Sequence, residues 1–105
     1  MNLYDKRKIG IIVEKVYKER ILRLIEKAGA SGYTVYQNIS GMGLHGSRGD
    51  FGSLSELSGN VEIVVVSSLE VAEKILKGLQ YLMDEDISII VHVIDVKVLR
   101  DDHFA

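Results

Sequence analysis

One pattern limits the folds open to this chain more than any other. A strand–helix–strand order occurs twice, and the two copies are separated by one long stretch that fits neither period. In the first copy, residues 9–13 (IGIIV) form a β-branched apolar run that reads as a buried strand. Glu14-Lys15 then opens a helical pattern. Tyr17, Ile21, Leu24, Ile25 and Ala28 recur on one helix face, with Lys18, Glu19, Arg23, Glu26 and Lys27 largely opposite. The Glu19–Arg23 spacing suits a helical ion pair, and Gly29 is a natural stop. Residues 32–39 (GYTVYQNI) alternate as a second strand.

The second copy repeats the order. Residues 61–66 (VEIVVV) are the third strand. Ser67-Ser68 supplies capping hydroxyls, with Glu70 and Glu73 near the positive end of the helix that follows. Ala72, Ile75, Leu76 and Leu79 form its stripe, extended by Leu82 or Met83. Asp84-Glu85-Asp86 reads as a solvated acidic turn. Residues 87–96 are the fourth strand and residues 98–105 a tail. Two such units in one 105-residue chain predict a single α+β domain, a ferredoxin-like βαββαβ sandwich over residues 1–105. Each helix covers the same sheet face. Strands one, three and four are apolar on both parities, so the other face also needs cover. No third helix is available, and a second copy of the chain is the simplest cover.

Between the units, residues 40–59 read SGMGLHGSRGDFGSLSELSG and hold six of the ten glycines. A stretch this long without a period is expected to be a functional loop. Within residues 41–49, glycines let backbone N–H groups approach an anion, and Arg48 adds a charged fork suited to phosphate. On spacing alone a flexible connection is the simpler reading.

Composition removes several classes. Cysteine is absent, which excludes disulfides, thiolate metal sites and cysteine nucleophiles. The formal charge of -2 gives no basic face for nucleic acid. No signal peptide or apolar span of membrane length is apparent, so a cytoplasmic protein is expected. No serine sits in a nucleophile elbow and no base is positioned, so catalytic residues are not expected. His92 lies within a strand and reads as a core or interface residue. His103 beside Asp101 and Asp102 falls short of a metal-ligand set, and no metal site is assigned.

The residues Glu14-Lys15, then Gly29-Ala30-Ser31-Gly32-Tyr33-Thr34-Val35, then the glycine-rich stretch, resemble the PII superfamily over nearly the whole length. Within it the chain is most similar to the SbtB type, the branch associated with bicarbonate transporters. The resemblance implies a homotrimer that binds an adenine nucleotide in clefts between subunits. Residues 40–59 would be the T-loop that meets a partner. The implied nucleotide-binding residues are Thr34 near the adenine, Gly41 and Gly43 at the loop base, His45 and Arg48 toward the phosphates, Val66 and Ser67 at a strand end, Ile87 and Ser88 on the opposite wall, and Arg100. Leu44, Phe51, Leu54 and Leu57 have no evident home in one domain and are expected to meet the partner, a membrane transporter that would recruit the protein to the membrane.

Departures from the family pattern refine this. The triphosphate-wrapping loop of standard members, Thr-Gly-x-x-Gly-Asp-Gly-Lys, is replaced by Leu82-Met83-Asp84-Glu85-Asp86-Ile87-Ser88. Three carboxylates would repel a triphosphate, which points to AMP, ADP or cyclic AMP ahead of ATP. The nucleotide is an effector rather than a tightly bound cofactor, and bicarbonate is a candidate co-ligand. His45 stands near the glutamine of the family's 2-oxoglutarate site. The cysteine-bearing extension of some SbtB-type members is missing, and the loop has no tyrosine for uridylylation. The competing expectation is a metal or small-anion binding protein similar to the CutA type, using His45, His103 and nearby carboxylates.

Overall fold

The computed structural model describes residues 1–39, 41–43, 46–48 and 59–105. Strand β1 (Tyr4–Glu14) leads through a 3₁₀ turn (Lys15–Tyr17) into α1 (Lys18–Ala28), followed by β2 (Thr34–Ile39). Two short strands, β3 (Gly41–Gly43) and β4 (Gly46–Arg48), come next. Then follow β5 (Asn60–Ser67), α2 (Leu69–Asp84) and β6 (Ile89–Val98). The main sheet has the order β2-β5-β1-β6 with every neighbouring pair antiparallel, the split βαβ arrangement predicted from sequence.

Both helices lie on one face of this sheet. Ile9, Ile11 and Val13 of β1 and Val61, Ile63 and Val65 of β5 point to that face, fully or almost fully buried. They meet Ile21, Leu22 and Ile25 from α1 and Ala72, Ile75, Leu79 and Leu82 from α2. Of the two candidates for the last position of the second stripe, Leu82 is buried and Met83 is exposed. Alternation explains the sorting on the strands, because successive strand residues face opposite sides.

The helix ends follow their local chemistry. Ser68 caps α2, its Oγ accepting the Val71 N–H at 3.2 Å, a contact that stabilises such a helix by about 1 kcal/mol. Gly29 ends α1 at φ 106°, a conformation that a side chain disfavours, and its N–H is shared by the Ile25 and Glu26 carbonyls. Glu19 approaches Lys18 at 3.8 Å rather than Arg23, while Arg20 reaches across to Glu85 at 3.3 Å.

Several elements differ from the sequence expectation. The start of β1 lies five residues earlier, at Tyr4, and β6 extends to Val98, because Arg7 pairs with Asp95 and Asp5 with Lys97 across the strands. Opposite charges facing each other support a ladder that apolar periodicity does not reveal. Within the glycine-rich stretch, Gly41 pairs with Arg48, Met42 with Ser47 and Gly43 with Gly46. A ladder is made of backbone hydrogen bonds, and the glycines here give it no side-chain pattern to announce it.

The second sheet face has no helix. It presents Thr34 and Tyr36, then Glu62, Val64 and Val66, then Lys6, Lys8, Gly10 and Ile12, then Ile90, His92, Ile94 and Val96. Ile90 and Ile94 are 44% and 49% exposed. The His92 ring lies over Gly10, where a Cβ would come within 2.4 Å of Nε2. Gly10 thus leaves room for the ring against the sheet.

Candidate functional site

A cleft of about 450 Å³ opens at the β2 edge of this second face. Its sheet wall is made by Thr34, Val64 and Val66, and register explains the grouping. Thr34 lies directly opposite Val64, and Val66 is the next residue of the same parity along β5. Ser31, Gly32 and Tyr33, the approach to β2, form a second side. Asp102, His103 and Phe104 form the third. The cleft therefore combines an apolar floor with hydroxyl and carboxylate groups at its rim, a composition suited to a flat, polar-edged ligand.

The C-terminal segment reaches the cleft by crossing the sheet end. After β6, on one edge, residues 99–105 pass β1 and β5 to reach Ser31 beside β2, on the other edge. Lys6, only 7% exposed, donates to the Phe104 carbonyl at 2.8 Å and meets Asp101 at 2.8 Å. The Ala105 N–H donates to Ser31 Oγ at 2.9 Å, and the Ser68 N–H donates to the Ala105 carbonyl at 2.7 Å. His103 sets its ring edge against Phe104, with centroids 5.2 Å apart.

The residues expected from sequence divide into several groups. Thr34 and Val66 line the cleft. Ser67 adjoins it in sequence but points to the helix side, fully buried, with its Oγ donating to the Ser68 carbonyl. Arg100 is exposed and lies 4.0 Å from Asp102, outside the cleft lining. The Ile87 side chain belongs to the hydrophobic core and does not line this cleft. Ser88 is exposed next to it. Val66 is in register with Lys8 and Ile94, six residues along β6 from Ser88, or about 20 Å at strand rise. Within one chain, Ser88 and the cleft therefore sit at opposite ends of the sheet.

Gly41 and Gly43 occupy β3 and Arg48 ends β4, immediately after β2. His45, Leu44, Phe51, Leu54 and Leu57 lie outside the described residues. Sequence reasoning did not bring Val64, Ser31, Gly32, Tyr33 or residues 102–104 to this cleft. Val64 was accessible from the alternation of β5, which places it on the same face as Val66. The tail carries no periodicity, and its contacts run to a lysine near the opposite end of the chain.

Among the described residues no three His, Asp or Glu side chains converge as a metal site. Asp101 and Asp102 face Lys6 and Arg100 instead. No helix among the described residues is long and apolar enough to cross a membrane.

A βαββαβ sandwich with a cleft at one sheet edge, walled in part by its own C-terminal segment, defines a small domain of the PII-like class. The chain belongs to the nitrogen regulatory protein P-II family, whose model matches residues 6–103. It is similar to CPII, a nitrogen regulatory PII-like protein from Thiomonas intermedia K12, in a structure bound to ADP, AMP and bicarbonate. Identity there is 33%, with 94% of this chain and 92% of the other covered, and the TM-score is 0.87. The apo form of CPII gives a TM-score of 0.66 at 27% identity, covering 93% and 98% of the two chains. A PII-like signaling protein from Thermus thermophilus matches at 25% identity over 100% of both chains, with a TM-score of 0.80. A comparison with curated protein sequences gives no match.

Proposed function

We propose that this protein is a PII-like sensor that binds AMP, ADP or cyclic AMP, in preference to ATP, at clefts between three copies of the chain. The observation that carries this reading is the cleft walled by Thr34, Val64 and Val66. It stands where the sequence resemblance expected the adenine, in a fold whose 33%-identical neighbour CPII was solved with ADP, AMP and bicarbonate. Bicarbonate is proposed as a co-ligand on the same ground.

Assembly supports the reading physically. The second sheet face exposes Ile90 and Ile94 with no helix over them, and a copy of the chain would cover it. Assembly would also let the Ser88 end of one copy approach the Val66 end of another, which a single chain forbids. Gly41, Gly43, His45 and Arg48 would hold phosphate oxygens. The acidic sequence Asp84-Glu85-Asp86 disfavours a third phosphate.

Downstream, residues 40–59 act as the partner-contacting T-loop, and the partner is a membrane transporter, for bicarbonate, met from the cytoplasm. A ligand shifts the loop only through unequal affinity for its two states. Phosphate contact at Gly41 to Arg48 supplies that inequality. Leu44, Phe51, Leu54 and Leu57 are the proposed contact residues. Replacing all four with Ser is expected to abolish transporter capture in a detergent pull-down and leave ADP binding within about twofold, because the loss falls on the partner interface. Undiminished capture would refute the loop assignment.

Calorimetry with AMP, ADP, ATP and cyclic AMP, each with and without bicarbonate, tests the sensor itself. Arg48→Ala is expected to weaken ADP about tenfold through loss of a charge-assisted contact. No heat with any adenylate at millimolar concentration would remove the reading.

A further inference from the structure

We infer that residues 101–105 are a strap forming one wall of the cleft, and that Lys6 is the positioning residue that latches it. The inference deepens the nucleotide reading and rests on it for the identity of the ligand. Lys6 does not line the cleft. Its ammonium is nevertheless among the few buried polar groups described, at 7% exposed, and both of its hydrogen-bonded partners belong to the strap. Burying a lysine is costly unless its donors are satisfied. Here the Asp101 carboxylate and the Phe104 carbonyl satisfy two of them. These contacts bracket Asp102, His103 and Phe104, the three strap residues that face the cleft.

The strap has little else to hold it. Among the described residues its remaining anchors to the body of the fold are two backbone hydrogen bonds at Ala105, one with Ser31 Oγ and one with the Ser68 N–H. Asp101, Asp102 and His103 are exposed, and Phe104 is half-buried. A segment with few buried apolar contacts detaches at low free energy. Loss of Lys6 therefore releases it, while the fold remains. Lys6→Met leaves Asp101 without its partner, but that carboxylate is mostly exposed and stays hydrated, so the cost to global stability is small.

The strap joins the cleft to two other parts of the fold. Ser31 and the approach to β2 are tied to Ala105 on one side. The N-cap of α2 is tied to it on the other, because Ser68 donates to Ala105 and caps the helix with its Oγ. A ligand that packs against Phe104 or bonds to the rim would favour the docked strap, and its affinity would depend on Lys6 at second hand.

The experiment compares wild type, Lys6→Met, Lys6→Arg and a variant lacking residues 101–105. ADP affinity is read by calorimetry, and hydrogen exchange of the Ser68 amide reports strap docking. Lys6→Met and the deletion are each expected to weaken ADP about tenfold, with no further loss when combined, and Lys6→Arg to recover most of the affinity. Ser68 exchange should accelerate in Lys6→Met with the melting temperature unchanged. Wild-type affinity and wild-type Ser68 protection in Lys6→Met would overturn the latch. If wild type binds no adenylate, the nucleotide reading falls, and Ser68 protection alone decides the latch. Faster exchange then upholds it, and unchanged exchange removes it.

Discussion

Ile63→Ala is expected to lower the unfolding free energy by about 3–4 kcal/mol, in the middle of the range for buried aliphatic truncations. Ile63 is fully buried at the centre of β5. It is in register with Ile11 on β1 and with Val35 on β2, so its side chain sits in the middle of the sheet layer. Neighbours on both strands are held by ladders and cannot close the gap, so the cavity term adds to the lost transfer energy. In a domain of this size that corresponds to roughly 15 °C of melting temperature. Denaturant unfolding at fixed protein concentration is the measurement, because the proposed assembly would make apparent stability depend on concentration. The midpoint should fall with little change in slope. A loss below about 1 kcal/mol would mean that the sheet relaxes around the site, and the rigid central layer described above would be wrong.

The same layer shows why the fold is legible in the sequence. Ile9, Ile11 and Val13, and Val61, Ile63 and Val65, alternate toward the helices, and the stripes of α1 and α2 face them. Period two and period 3.6 are both set by side-chain chemistry, so they can be read without coordinates. The ends are less legible, for particular reasons. Residues 4–8 (YDKRK) look like a polar leader, yet they form strand because Asp5 and Arg7 face Lys97 and Asp95 in register. Pairing between opposite ends of the chain leaves no local trace. At the start of β6, Ile87 looks like the first strand residue. It precedes the strand and packs into the core after a turn in which Asp86 takes φ 69°.

The site is legible only in part. Thr34 and Val66 follow from the motif Gly-Tyr-Thr-Val and the end of the third strand, and both line the cleft. Ser67 adjoins Val66 in sequence, but alternation turns it to the opposite face. Asp102, His103 and Phe104 read as a free tail because nothing local fixes their direction. Lys6, within a run of charges at the other end of the chain, contacts Asp101 and Phe104.

Val66→Glu is expected to reduce ADP affinity by about a hundredfold or more, since it places a carboxylate on the apolar floor of the site proposed for an anion. Val66 is half-buried on the helix-free face, opposite Lys8 and beside Thr34 and Val64. Its side chain takes no part in the core, so the fold should survive. Circular dichroism and the melting curve are expected to stay close to wild type, with sedimentation run in parallel to follow assembly. Val65→Glu makes the complementary case one residue away. Val65 is 1% exposed on the helix side, and a carboxylate there would unfold the domain rather than empty the cleft. The contrast between adjacent positions turns on which sheet face each residue occupies. A Val66→Glu protein that stays assembled and binds ADP as wild type does would place the adenine elsewhere. With it would go the assignment of Thr34 and Val64, since all three share one patch of one face.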